Sequence, residues 1–151
     1  MSNRQVYFKN IHGSVKVGPG LYKILRSVSR EVLGAEKCTD YEVTMVFVDN
    51  QYIKNLNGQY RKKNTATDVL AFGFYRDPQT RADYGDIYIS LDKVRTQARQ
   101  YRVLFNRELL RLALHGLLHL CGHHHRLKKE KQVMEQKLEF WLSQVKNNGK
   151  G

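Results

Sequence analysis

Five of the six histidines in this 151-residue chain lie in one short stretch. That stretch, residues 115–125, reads H-G-L-L-H-L-C-G-H-H-H and follows a leucine-rich run. Because residues four positions apart share one face of a helix, His115 and His119 point the same way. Gly122 favours a turn that ends the helix, and this turn can bring His125 back to the same point. The spacing predicts a metal site made of these three histidines.

Three neutral imidazole nitrogens suit zinc, at metal–nitrogen distances of about 2.0–2.1 Å. They leave a fourth tetrahedral position open for water, which is typical of catalytic rather than structural zinc. Histidine sites also accept nickel and copper, so other divalent transition metals fit this pattern as well.

The remaining metal-ligand types in the stretch are less well defined by their spacing. Cys121 lies about 200° around the helix from His119, which indicates a small buried residue rather than a ligand. For His123 and His124 three interpretations stay open: supporting groups behind the ligands, solvated turn residues, or substitute ligands.

The spacing also matches the zinc-peptidase pattern H-E-x-x-H-x-x-G-x-x-H at every position but one. Where those enzymes carry the glutamate that deprotonates zinc-bound water, this chain has Gly116. The missing base argues against a metallopeptidase. We interpret Gly116 as leaving space for a bulky substrate close to the metal.

The chain carries 26 Lys and Arg against 14 Asp and Glu, which gives a formal net charge of +12. Such an excess favours a polyanionic partner. A merely basic surface is one alternative, and an anionic membrane surface is a weaker one because no amphipathic basic helix stands alone. The two cysteines form no disulfide framework and fit a reducing compartment. Residues 1–5 lack the apolar core of a signal peptide, and no uncharged stretch approaches about 18 residues. We therefore expect a cytoplasmic protein without membrane contact.

Apolar periodicity predicts the element order β-α-β-α-β-β-α-α-α. This order indicates one α+β domain over residues 1–151, with a mixed sheet of about four strands, helices packed on it and a central buried metal-binding helix. Asn106 is the predicted N-cap of that helix, and Glu108 lies in its first turn. We expect a mobile flap at residues 76–84 and a flexible tail at residues 147–151.

Two further motifs accompany the histidines. Tyr60-Arg61 precedes the segment T-D-V-L-A-F at residues 67–72, and residues 84–87 read Y-G-D-I. With the metal loop, they make the chain resemble the YbeY family of bacterial metal-dependent endoribonucleases, also called rRNA maturation factors. The resemblance extends from about residue 50 to residue 142. One departure is that His123 and His124 stand where the family has an aromatic residue and an aspartate.

This resemblance implies a zincin-like domain with zinc held by His115, His119 and His125. It implies single-stranded RNA as substrate, and a role on ribosomal RNA ends and in ribosome quality control. Arg61 is implied to be the functional arginine that faces the metal cleft; without the resemblance it reads equally as one residue of a charged surface. The implied catalytic set is Arg61, His115, His119 and His125.

Asp68 and Asp86 could orient the histidines or anchor loops, and simple capping would also explain them. A second functional class also stays open: a ribosome-associated RNA-binding assembly factor whose metal is mainly structural. The two classes differ in whether metal-loaded protein cuts RNA or only binds it.

Overall fold

The computed structural model describes residues 4–76, 78–79 and 82–145. The strands are β1 (Arg4–Asn10), β2 (Tyr41–Val48), β3 (Val69–Arg76) and β4 (Asp83–Ser90). The helices are α1 (Pro19–Ala35), α2 (Asn50–Arg61), α3 (Leu91–Tyr101), α4 (Phe105–Leu120) and α5 (Lys128–Gln144). This order along the chain is the predicted one.

The four strands form one sheet in the order β1-β2-β4-β3. β1 pairs with β2 and β2 pairs with β4 in parallel, whereas β3 runs antiparallel to β4. The sheet is therefore mixed, and β4 lies between β2 and β3 although β3 precedes it in the chain. The predicted α+β fold with a mixed four-stranded sheet and helices packed on it is confirmed.

β2 explains why the sheet needs cover on both sides. Its alternate residues Met45 and Phe47 belong to a large apolar core, and Val46 and Val48 belong to a smaller one. Since successive residues of a strand point to opposite faces, these two cores lie on opposite sides of the sheet. α1 and α4 supply most of the large core, and Ile53 of α2 belongs to the small core.

α4 is the central buried helix that the leucine-rich run predicts. Ten of its 16 residues are buried. It contacts α1, α3, α5 and the strands β3 and β4. This burial fixes the helix in position. It therefore also fixes the starting points of the side chains on the one face of the helix that is not packed against other elements.

The start of α4 differs from the prediction. The N-cap is Leu104, which has an extended backbone (φ −71°, ψ 150°) and no capping side chain. Its carbonyl accepts the N–H of Glu108 at 3.1 Å, so the helix begins before Asn106. Asn106 as N-cap is therefore wrong, because the helix begins two residues earlier, where a backbone carbonyl alone accepts the first helical hydrogen bond. Glu108 does lie in the first turn.

The predicted excursion between β3 and β4 is shorter than residues 76–84, because Arg76 ends β3 and Asp83 begins β4. Residues 77, 80 and 81 lie outside the described residues, as does the predicted tail at 147–151, so mobility there stays a prediction. Among the helices described, none is both long and apolar enough to cross a membrane.

Candidate active site

The turn after α4 carries the third histidine. Gly122 adopts φ +92°, a conformation that favours glycine. Its N–H donates to the His119 carbonyl at 3.0 Å, and the N–H of His123 donates to the Leu118 carbonyl at 2.9 Å. These two bonds form a Schellman motif, which satisfies the last carbonyls of the helix and reverses the chain. The predicted glycine turn is confirmed.

The turn brings three histidines together. Each of His115, His119 and His125 offers one ring nitrogen, and the three nitrogens all lie within 4.8 Å of one another. The His115 and His119 rings are 4.9 Å apart, and the His119 and His125 rings are 5.2 Å apart, centroid to centroid. His115 and His119 are half-buried and His125 is exposed, so the cluster opens to solvent on one side.

The protonation of the cluster favours metal binding. Burial lowers the pKa of His115, and the charge of His125 adds to this, although Asp68 opposes it. Burial also lowers the pKa of His119 to about 4, with further contributions from the neighbouring histidines and Arg61. Both side chains are therefore neutral at pH 7, the form in which imidazole binds metal.

The three nitrogens fit a divalent transition metal. Ligand nitrogens about 2.0–2.1 Å from a tetrahedral metal lie about 3.4 Å from one another. The nitrogens of this group, all within 4.8 Å of one another, are close to that arrangement. Three histidines leave a tetrahedral ion one further position. The group can therefore bind a metal and present it to a second ligand.

Arg61 lies close enough to His119 to affect the pKa of that side chain. It is the last residue of α2 rather than a loop residue, it is exposed, and its positive charge contributes to lowering the pKa of His119. The buried Asn57 side chain donates to the Thr65 carbonyl at 3.0 Å and so holds the loop that follows. Arg61 thus stands near His119 at the end of α2. Its role as the functional arginine stays a prediction.

Arg111 is a cleft residue that sequence reasoning missed. It precedes His115 by four residues and His119 by eight, so all three share one face of α4. Glu108, whose side chain is only 2% exposed, holds the Arg111 guanidinium with two hydrogen bonds of 2.9 and 2.6 Å. Gln97 donates to the same carboxylate at 2.7 Å. The spacing of four was the available signal for Arg111.

The need for glycine at position 116 has a different cause from the one that we inferred from the sequence. A Cβ at this position would lie 2.7 Å from Cγ2 of Ile87 on β4. Gly116 is buried and faces the sheet, whereas His115 and His119 face the cleft. The interpretation that Gly116 leaves space for a bulky substrate is wrong, because its space is filled by the sheet.

The family model for endoribonuclease YbeY matches residues 7–146 of this chain. The chain belongs to the endoribonuclease YbeY family. The endoribonuclease YbeY of Desulforamulus reducens is 37% identical over 147 residues, which cover 93% of this chain and 96% of the relative. That of Pelotomaculum thermopropionicum is 39% identical over 146 residues, with the same coverage. A solution structure of a Thermotoga maritima protein superposes with a TM-score of 0.65 at 28% identity, covering 93% of this chain and 88% of the other.

His123, where the YbeY family resemblance places an aromatic residue, is engaged elsewhere. Its Nε2 lies 2.6 Å from a Glu36 oxygen, and Lys137 of α5 donates to the other oxygen at 2.6 Å. This group ties the metal loop to the end of α1 and to α5. His124 is exposed, and its ring centroid lies 5.8 Å from that of His119. Neither residue belongs to the group of converging ligand nitrogens.

Cys121 is not in that group either, as predicted. It is partly buried against the large core, and burial raises the pKa of its thiol. A protonated thiol is a poor metal ligand. Cys121 is therefore a packing residue at the end of α4.

The two aspartates of the YbeY motifs have separate positions. The Asp68 carboxylate accepts the N–H of Val69 at 2.8 Å, and its charge raises the pKa of His115. Asp86 lies on β4 between Gly85 and Ile87, both of which face α4. Since strand residues alternate, Asp86 points to the opposite face of the sheet and does not orient the histidines.

Proposed function

We propose that this chain is a zinc-dependent endoribonuclease that cuts single-stranded RNA, and that it acts in ribosomal RNA maturation and ribosome quality control. Membership of the endoribonuclease YbeY family supports the RNA-cleaving activity. The single observation that carries the metal part is the convergence of His115, His119 and His125. The proposed catalytic unit is one domain over residues 1–151.

The chemistry divides between the metal and the chain. When bound, zinc supplies an activated water near neutral pH and a positive charge for a phosphoryl oxygen. Arg61 binds the phosphate and stabilises the negative charge that grows on it in the transition state, since its guanidinium is planar and always charged. His115 and His119 stay neutral at pH 7 and so do not repel the cation that they hold.

Three groups of exposed basic residues support an RNA substrate. Arg61, Lys62 and Lys63 lie exposed at the end of α2. Directly after His125, residues 126–129 read R-L-K-K and are exposed as well. Arg95, Arg99 and Arg102 follow at steps of three and four residues and form an exposed stripe at α3. These clusters steer and hold a phosphate backbone.

The substrate is single-stranded RNA, the partner is the ribosome, and the compartment is the cytoplasm. A net charge of +12 on 151 residues suits work on a large polyanion. The metal is zinc, because three neutral imidazoles are ligands that suit it. Nickel and copper compete with zinc at an all-histidine site. Gly116 argues against a peptidase, since a glutamate there would collide with Ile87.

The test is cleavage of a labelled single-stranded RNA by chelator-treated protein, before and after zinc is added. His119→Ala protein is prepared in parallel to exclude a contaminating ribonuclease, and His123→Ala is the matched control from the same loop. We expect zinc to restore cutting by wild type and His123→Ala but not by His119→Ala. If folded, zinc-loaded wild type binds RNA without cutting it, the enzyme proposal fails and the assembly-factor alternative stands.

A further inference from the structure

One exposed aromatic residue directly precedes Arg61 in the chain. Tyr60 lies in the last turn of α2, directly before Arg61, and 64% of its surface is accessible to solvent. Tyrosine is large and largely apolar, so this exposure leaves a substantial aromatic surface next to the residue proposed to bind phosphate.

The Tyr60 ring is held in place from one side. It makes an edge-to-face contact with Phe72 of β3 at 5.3 Å between centroids and 67° between planes. Phe72 in turn contacts Tyr88 of β4 edge to face at 5.8 Å, and Tyr88 stacks with Tyr52 at 6.2 Å. Tyr60 is therefore one end of a row of four rings whose middle members are partly buried. Tyr52, at the other end, is also exposed (42%). The row fixes the ring orientation before any ligand arrives.

An edge-to-face contact covers at most one face of a ring. At least one face of Tyr60 is therefore not covered by Phe72, in agreement with its high exposure. A flat aromatic ring with a free face is a surface on which an unpaired nucleic acid base stacks. In a duplex the base faces are already stacked on one another and are not available.

The charges around Tyr60 suit the same ligand. Arg61, Lys62 and Lys63 follow it directly and are all exposed. Proteins that bind single-stranded nucleic acid combine such cations, which follow the backbone, with aromatic rings that stack on the bases.

We propose that Tyr60 is a binding residue that stacks on one unpaired base of the RNA, next to the phosphate bound by Arg61. This inference rests on the proposed function, because it takes RNA as the substrate. It assigns the preference for single strands to Tyr60, since basic residues and metal contact phosphates, which single and double strands both carry, whereas only unpaired bases offer a free face for stacking.

The alternative is that Tyr60 only covers Phe72. Three substitutions separate the two roles. Tyr60→Phe keeps the ring, Tyr60→Leu keeps an apolar contact with Phe72 but no ring, and Tyr60→Ala removes both. Tyr7→Ala is the matched control, because Tyr7 is also an exposed tyrosine (46%) and lies on β1, at the opposite edge of the same sheet.

The experiment measures binding of each zinc-loaded protein to a short labelled single strand with 2′-O-methyl riboses, whose integrity is checked on a gel. The same strand annealed to its complement is the duplex probe. A set of strands with one abasic position each locates the stacked base. Thermal unfolding of every variant shows that it is folded.

We expect Tyr60→Ala and Tyr60→Leu to weaken single-strand binding by roughly 5- to 150-fold, the effect of one lost base–aromatic stack. Tyr60→Phe and Tyr7→Ala should bind like wild type, and duplex binding should not change. One abasic position should weaken wild type but not Tyr60→Ala. Wild-type affinity in folded Tyr60→Leu, or equal losses on single strand and duplex, would overturn the proposal.

The result is separable from the test of the enzyme itself. A wild type that binds the strand through Tyr60 but never cuts RNA overturns the nuclease proposal and supports the stacking residue. A wild type that cuts RNA while all Tyr60 variants bind normally overturns the stacking residue alone. A wild type that does not bind RNA overturns both.

Discussion

The histidines of this chain differ in what their ring nitrogens face. His12 and His123 each face a carboxylate, at 2.9 Å from Asp92 and 2.6 Å from Glu36. In the cluster of His115, His119 and His125 the ring nitrogens face one another instead. A carboxylate-paired histidine gains a hydrogen bond in the folded state, whereas clustered, partly buried histidines repel one another once protonated. The arrangement of the cluster is therefore explained by binding of a ligand, whereas the carboxylate pairs are explained by their contribution to the stability of the fold.

His12 shows how completely such a pair is built into the structure. Its Nδ1 accepts the N–H groups of Ser14 and Val15 at 3.1 and 3.0 Å, while Nε2 faces Asp92. Asp92 also accepts the N–H of Asn50 at 2.9 Å. The histidine side chain is only 6% exposed. His12 therefore connects the loop after β1 to the starts of α2 and α3.

The largest effect is expected on RNA cleavage, from a substitution that leaves every histidine of both groups in place. We expect Arg61→Glu to bind metal and fold normally but to lose about 100- to 1000-fold in RNA cleavage, since a charge that stabilises the transition state is reversed. Single-turnover cleavage and metal analysis of the purified variant measure the two properties. Lys63→Glu, an exposed change of the same charge two residues away, is the control. Equal losses of cleavage in both variants would show that Arg61 contributes only general electrostatic attraction for RNA.

Next in size is the loss of a carboxylate-paired histidine. His12→Ala should lower the free energy of unfolding by about 2 kcal/mol, because three hydrogen bonds are lost and buried groups are left without partners. Its zinc content should stay that of wild type, as His12 is no part of the cluster. Denaturant unfolding and metal analysis give the two values. A fall in bound zinc with an unchanged free energy of unfolding would contradict this prediction, because it would assign His12 to metal binding rather than to the fold.

The smallest effect is a pH dependence of the metal-free protein. Burial lowers the pKa of His119 from the ordinary 6.5 to about 4 and that of His115 in the same direction. Between pH 6.5 and about 4 the unfolded chain therefore binds more protons at these sites, so stability should fall as the pH falls through this window. Unfolding of chelator-treated protein at a series of pH values measures the slope, and His119→Asn should reduce it. A slope that His119→Asn leaves unchanged would assign the acid sensitivity to other groups.

The sequence predicted what depends on neighbours in the chain. Apolar alternation placed β2, leucine periodicity placed α4, and the spacing of residues 115, 119 and 122 placed the converging histidines and their turn. All of these rest on local geometry, in which residue spacing determines which face a side chain occupies.

The features that the sequence did not predict depend on distant partners. His123 pairs with Glu36 across 87 positions, and His12 pairs with Asp92 across 80. Neither pairing leaves a periodic signal in the sequence. The same holds for Gly116, whose neighbour Ile87 comes from a strand that precedes α4 by two elements. Asn106 was a local error of another kind, because a good capping residue stood near a helix that began without one.

The contact between Gly116 and Ile87 also bears on the difference between this loop and the loop of the zinc peptidases. A glutamate at residue 116 is the one letter that distinguishes this loop from the zinc-peptidase pattern. Any side chain there meets the Ile87 branch at 2.7 Å, and residues of this face point into the sheet rather than the cleft. A glutamate at residue 116 that reached the histidines would therefore require both a smaller residue at position 87 and a different orientation of α4. Packing against the sheet thus keeps a peptidase-like general base out of this position, independently of the three histidines.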